Sequence, residues 1–129
     1  MKLNQLNSID GSNEGREMVL IHPEQGKTDV KFWVLGKHSD LMRQRMAAFR
    51  KKAMKLLPQE AAELSEAEAM ETRIQAITKW QGLEDDHGEP LELTADNLRN
   101  LFTIAPWVAE QVDRFITNEA NFLPKLASD

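Results

Sequence analysis

Pro58 stands between two stretches of opposite charge, and that junction limits the fold more than any other feature of the chain. From Ser39 to Leu57, Met42, Met46, Phe49, Ala53 and Leu56 recur at alternating spacings of four and three, the period of one helical face. The other positions are rich in cations: Arg43, Arg45, Arg50, Lys51, Lys52 and Lys55. Beyond Pro58 the sign reverses, with Glu60, Glu63, Glu66, Glu68 and Glu71 around a second apolar line of Leu64, Ala67, Met70, Ile74 and Ile77 that leads to Trp80. Proline stops the first helix, because it lacks an N–H and its ring meets the preceding turn. The pattern predicts an antiparallel helical hairpin over 39–79, with Ser39 as N-cap. Its charged flanks attract each other within one subunit or between subunits. Exposed ion pairs contribute at most about 1 kcal/mol each, so the apolar stripes must hold the hairpin.

Ahead of this hairpin, residues 1–16 are polar and small, and read as a flexible N-terminal arm. Residues 17–35 read as a β-hairpin: E-M-V-L-I-H, a turn at Pro23-Glu24-Gln25-Gly26, then T-D-V-K-F-W-V-L. Val30, Phe32 and Val34 share one face, and Asp29, Lys31, Trp33 and Leu35 the other. A lone hairpin is marginal in water, so something must cover it. Trp33 and Leu35 on the nominally wet face therefore become candidates for a partner surface, together with Met42, Met46, Arg43 and Arg50 on the basic helix.

Residues 80–123 collect Trp80, Trp107, Phe102, Phe115 and Phe122 in a chain that is only 6% aromatic. An acidic turn, Glu84-Asp85-Asp86-His87-Gly88-Glu89-Pro90, follows Trp80. Thr94 is a candidate N-cap with Asp96 in the first turn, where the helix dipole favours a negative charge. Pro106 breaks that helix and suits the first turn of the next, whose stripe is Val108, Val112, Phe115 and Ile116. The segment reads as a Trp-rich loop and two helices, and 124–129 as a tail. The predicted class is α+β, mostly α, in one domain over 17–123.

Several chemistries are excluded by residue type and spacing. With no cysteine there is neither a disulfide frame nor a thiol nucleophile. No G-x-S-x-G or glycine-rich phosphate loop appears. An EF-hand reading of the acidic turn with Gly88 sixth would put Leu83 first and His87 fifth, which fails the oxygen-ligand pattern. His22, His38 and His87 are scattered, without zinc-ligand spacing. The chain reads as non-enzymatic, with no cofactor and no metal. No apolar run approaches the roughly 20 residues that span a bilayer, and the N-terminus lacks the apolar core of a secretion signal, so the expectation is no membrane and a cytoplasmic location. The basic helix 41–55 is the best nucleic-acid candidate; a net charge of −5 and the adjoining acidic helix argue against it.

The ordered set W-x-G-L-x-D-x-x-G-E-P, a T-x-D-N helix start, P-W-x-x-x-Q-V-x-x-F and N-F-L resembles the tail assembly chaperones of long-tailed bacteriophages and prophages. The positions that carry the likeness include Trp80, Gly82, Gly88, Pro90, Pro106, Trp107, Phe115 and Phe122, most of them expected to be structural. The resemblance implies a protein that binds and solubilises the tape measure protein, helps recruit the tail tube protein, and forms a homo-oligomer in the host cytoplasm. The alternatives are a small nucleic-acid-associated regulator using helix 41–55, or a structural tail or head-tail joining protein.

Overall fold

The structure, a computed structural model, describes residues 1–125. It is α+β and mostly helical, as the sequence predicts. Strands β1 (Arg16–His22) and β2 (Gly26–Val34) form the hairpin, with Gly26 at φ +77 closing the turn. Helices α2 (Asp40–Ala53) and α3 (Pro58–Ala76) follow the short α1 (Ile9–Glu14) and the hairpin; α4 (Ala95–Ile104) and α5 (Pro106–Thr117) complete the helical set. The predicted caps act as such: the Ser39 hydroxyl accepts from the Met42 N–H at 3.2 Å, and the Thr94 hydroxyl from the Asn97 N–H at 3.0 Å. Pro58 and Pro106 each occupy the first turn of a helix, where a missing N–H costs nothing.

Two elements differ from the sequence reading. The helical hairpin does not run to residue 79. It ends at Ala76, and Ile77–Gln81 forms a third strand, β3, antiparallel to β2 in a sheet of order β1-β2-β3. Trp80, expected at the head of a loop, is therefore a strand residue paired with Phe32. Its indole N–H donates to the Leu91 carbonyl at 2.9 Å and ties the acidic loop to the sheet. The first 16 residues, expected as a flexible arm, take regular structure. Leu3–Leu6 makes a 3-10 turn, α1 follows, and Gly11 and Ser12 are buried. Small side chains permit this contact: a Cβ on Gly11 would collide with the Phe122 carbonyl, and one on Gly36 with the Ser12 hydroxyl. The expected tail, 124–129, lies outside the described residues from 126 onward.

The core forms where one face of the sheet meets α3, α4 and α5. Met18, Leu20, Phe32 and Val34 point inward, against Leu98 and Phe102 of α4 and Val108, Val112 and Ile116 of α5. Burying each such side chain contributes about 1.5–3 kcal/mol. Alternation along β2 thus works as predicted for Val30, Phe32 and Val34. Leu35 is a correction. Strand β2 ends at Val34, the Leu35 N–H donates to the Ala76 carbonyl at 2.9 Å, and the side chain is buried rather than on the wet face.

Candidate partner-binding surface

Helices α2, α3 and α5 enclose an open groove of about 350 Å3. Met42, Met46 and Phe49 supply its α2 wall at spacings of four and three, so all three project to one side. The α3 wall combines the small Ser65, Ala69 and Thr72 with Glu68 and Arg73, and Asp113, Ile116 and Thr117 of α5 close one end.

Ion pairs set its width. Arg45 of α2 grips Glu68 of α3 through two hydrogen bonds, at 2.9 and 3.2 Å, and the Thr72 hydroxyl donates to the same carboxylate at 3.2 Å. The attraction expected between the basic and acidic helices is thus realised within one chain. Arg73 of α3 makes a second bidentate pair with Asp113 of α5, at 2.9 and 2.8 Å, and lies over the Phe102 ring. At the closed end, Lys37 and His38 both reach Glu119, at 3.3 and 3.0 Å. The hydrogen bond with His38, and then that with Lys37, holds the Glu119 carboxyl below its ordinary range. Every charged residue lining the groove is consequently paired inside the chain.

The rim toward the hairpin turn differs. Arg50 contacts the Met46 sulfur at 3.2 Å. Among the described residues, neither Arg50 nor Lys51, Lys52 or Lys55 has a carboxylate partner. Three large apolar side chains are exposed beside them: Met46 at 52%, Met54 at 86% and Leu57 at 69%. Helix α2 stops at Ala53, short of the predicted Leu57, so the apolar line runs out into the turn.

Of the six residues expected to form a partner surface, two line this groove, Met42 and Met46, and Arg50 touches it through Met46. Met46 is at its mouth and Arg50 on the rim. Arg43 lies seven residues before Arg50, on the same side of α2, with its charge answered by Asp40. Met42 lines the groove but is buried, so it serves as floor rather than free surface. Trp33 and Leu35 are elsewhere. Leu35 is buried, and Trp33 lies half-buried on the uncovered face of the sheet, between Glu17 and Lys79, with the Lys79 ammonium 4.5 Å from its ring centroid. Sequence reasoning missed the α3 and α5 contributions. The only signal was the small-residue spacing Ser65, Ala69, Thr72 on an otherwise acidic helix.

The residues that carry the family likeness sit mainly in structural roles. Gly82 (φ +91) and Gly88 (φ +78) hold backbone conformations that favour glycine, and Pro90 bridges Glu84 across the acidic loop. Asp85 anchors that loop by accepting from the backbone N–H groups of His87 and Glu89. Trp107, directly after Pro106, packs edge-on against His22, 5.5 Å between centroids. Phe115 and Phe122 meet edge to face at 5.6 Å. Among the described residues there is no cluster of three or more metal-ligating side chains, and no helix is long and apolar enough to cross a membrane. Comparison of the chain with protein-family models, with curated proteins and with solved structures finds no match.

Proposed function

We propose that this chain is a non-catalytic tail assembly chaperone of a long-tailed phage or prophage, which binds the tape measure protein in the host cytoplasm and helps recruit tail tube subunits. The observation that carries the reading is the open apolar groove between α2, α3 and α5, with lining charges that are already paired within the chain. A partner seated there buries apolar surface without stripping an unpaired charge of water, so the main driving force is the hydrophobic effect. Met46 and Met54 suit this use, because flexible thioethers adapt to varied partner side chains. Exposed apolar side chains at the hairpin turn extend the same surface. The ordered motif from Trp80 to Phe122 supplies the family expectation. On this reading, copies of the chain mask apolar helix faces of a long client that would otherwise aggregate, and yield them when tube protein polymerises.

Co-expression with the tape measure protein of the same genome, followed by affinity purification and sizing, tests the proposal. A soluble tape measure co-eluting with several copies of this chain is the expected result. An insoluble tape measure, with this chain running alone, would remove the client reading. Salt then separates apolar from nucleic-acid binding: counterion release weakens the latter steeply, and apolar association changes little.

A further inference from the structure

We infer that the turn end of the α2–α3 hairpin is a self-association surface. A second copy of this chain packs on it about a two-fold axis, α2 of each copy lying along α3 of the other. The inference stands on the hairpin's outer half and does not depend on what fills the groove.

Burial shows that the hairpin is incomplete by itself. The last buried position on α2 is Met42 and the first on α3 is Ile74; no residue from 43 to 73 is buried. Helices of this length draw most of their stability from a packed apolar face. Here that face is left uncovered toward the turn. Phe49, Leu56 and Leu64 are half-buried, and Met54 and Leu57 stand open at 86% and 69%. One pair of helices has no interior. Two pairs together enclose one, as in a four-helix bundle.

The charges identify what supplies the second pair. Among the described residues, Arg50, Lys51, Lys52 and Lys55 have no carboxylate partner, and Glu63 and Glu66 have no cation partner. Glu60 is engaged with the Leu57 N–H, at 3.1 Å. One arm of the turn end is therefore positive and the other negative, and neither answers the other within the chain. A partner of a single sign would satisfy one arm and be repelled by its neighbour. Another copy satisfies both, because in an isologous contact the cationic arm of each meets the acidic arm of the other. Met54 and Leu57 then supply apolar surface to the same contact.

Sedimentation equilibrium of the full chain over a concentration series at low salt tests this. Reversible association from 14.7 kDa toward twice that mass is the expected result. Lys52→Glu with Lys55→Glu should weaken it about tenfold or more, and Glu63→Lys with Glu66→Lys by a similar factor, since each sets like charges against each other. An equimolar mixture of these two variants should associate again, because each then answers the other. Leu57→Glu should also weaken association about tenfold. All five substituted side chains are exposed, so the core is left intact.

A single species of 14.7 kDa at every concentration would overturn the inference. So would an oligomer that none of these variants weakens, which would place the contact on another surface. Variants that dissociate and do not recover on mixing would overturn charge complementarity between copies. A tape measure that co-purifies with a chain that is monomeric alone would leave the client reading and make the client the cover of the turn. Copies that recover on mixing but retain no tape measure would support the inference and remove the client reading alone.

Discussion

The side chain of Gln111 completes the main chain of Ile21 on the outer edge of the sheet. Its amide oxygen accepts from the Ile21 N–H at 3.1 Å, and its amide nitrogen donates to the Ile21 carbonyl at 2.6 Å. The register of β1 against β2 shifts between Val19 and Ile21, so a helix side chain stands in for a neighbouring strand at the irregularity. Gln111→Ala is expected to lower stability by about 1 kcal/mol, since both bonds are solvent-accessible. Urea denaturation read by tryptophan fluorescence measures it, and an unchanged midpoint would mean that water replaces the amide at no cost.

Trp107 and Trp80 should respond differently to substitution. From sequence alone, Trp107 on a helical stripe invites an expectation of about 3–5 kcal/mol for Trp107→Ala if fully buried. The side chain is only partly buried against His22, which lowers the expected loss to about 2 kcal/mol. Trp80→Phe removes the donor to the Leu91 carbonyl as well as volume, and should cost about 2 kcal/mol while loosening residues 83–93. Hydrogen exchange in that loop distinguishes them: faster exchange in Trp80→Phe and not in Trp107→Ala is the expected pattern.

Three glycines rank by geometry. Gly82 combines φ +91 with a position where a Cβ would lie 2.5 Å from the Asp29 carbonyl oxygen, so Gly82→Ala should cost about 2–4 kcal/mol. Gly26 has φ +77 but nothing within 4 Å, and alanine there should cost about 1 kcal/mol. Gly11→Ala should act locally, freeing α1 from Phe122 and speeding amide exchange over residues 3–14. Equal losses at Gly82 and Gly26 would show that the backbone at Asp29 yields easily.

Glu119 links its 3-10 turn to the start of the helical hairpin, and its response to pH has a definite sign. Its carboxyl is held below the ordinary value of 4.5 in the folded chain, so the link is fully present above that value and is lost as pH falls through the lower folded one. The larger cause is the hydrogen bond with His38, followed by that with Lys37. His38→Ala and Lys37→Ala should therefore each raise the Glu119 midpoint in an NMR carboxyl titration. A midpoint unmoved by either change would mean that the contact does not persist in solution.

Legibility in the sequence followed the range of the forces involved. The caps Ser39 and Thr94, the breaks at Pro58 and Pro106 and the alternation through Val30, Phe32 and Val34 are local, and each was readable. Strand β3 was not, because Ile74, Ile77 and Trp80 keep helical spacing straight through the point where the chain turns extended. The β-branched pair Ile77-Thr78 ahead of Gly82 was the available sign. Burial of Gly11 and Ser12 left no trace in hydropathy, since small residues that permit close backbone approach resemble those of a loop. At the candidate site, Met42 and Met46 could be chosen from their spacing, but Ala69, Thr72 and Ile116 enter through the docking of three helices. Leu35 was misplaced because strand periodicity was carried one residue beyond the end of the strand.

Strand β3 has one more consequence. Val34 and Ile77 are paired neighbours, so the whole excursion from 35 to 76, helices included, leaves the sheet and returns to it at adjacent positions. Architecturally, the α2–α3 hairpin, which supplies two of the three helices around the groove, is a cassette inserted at one opening in a small scaffold. Because loop-closure cost rises only slowly with length, turns of helix can be added to or removed from its far end at little cost to the sheet. The hairpin's reach can therefore vary independently of the scaffold that holds it.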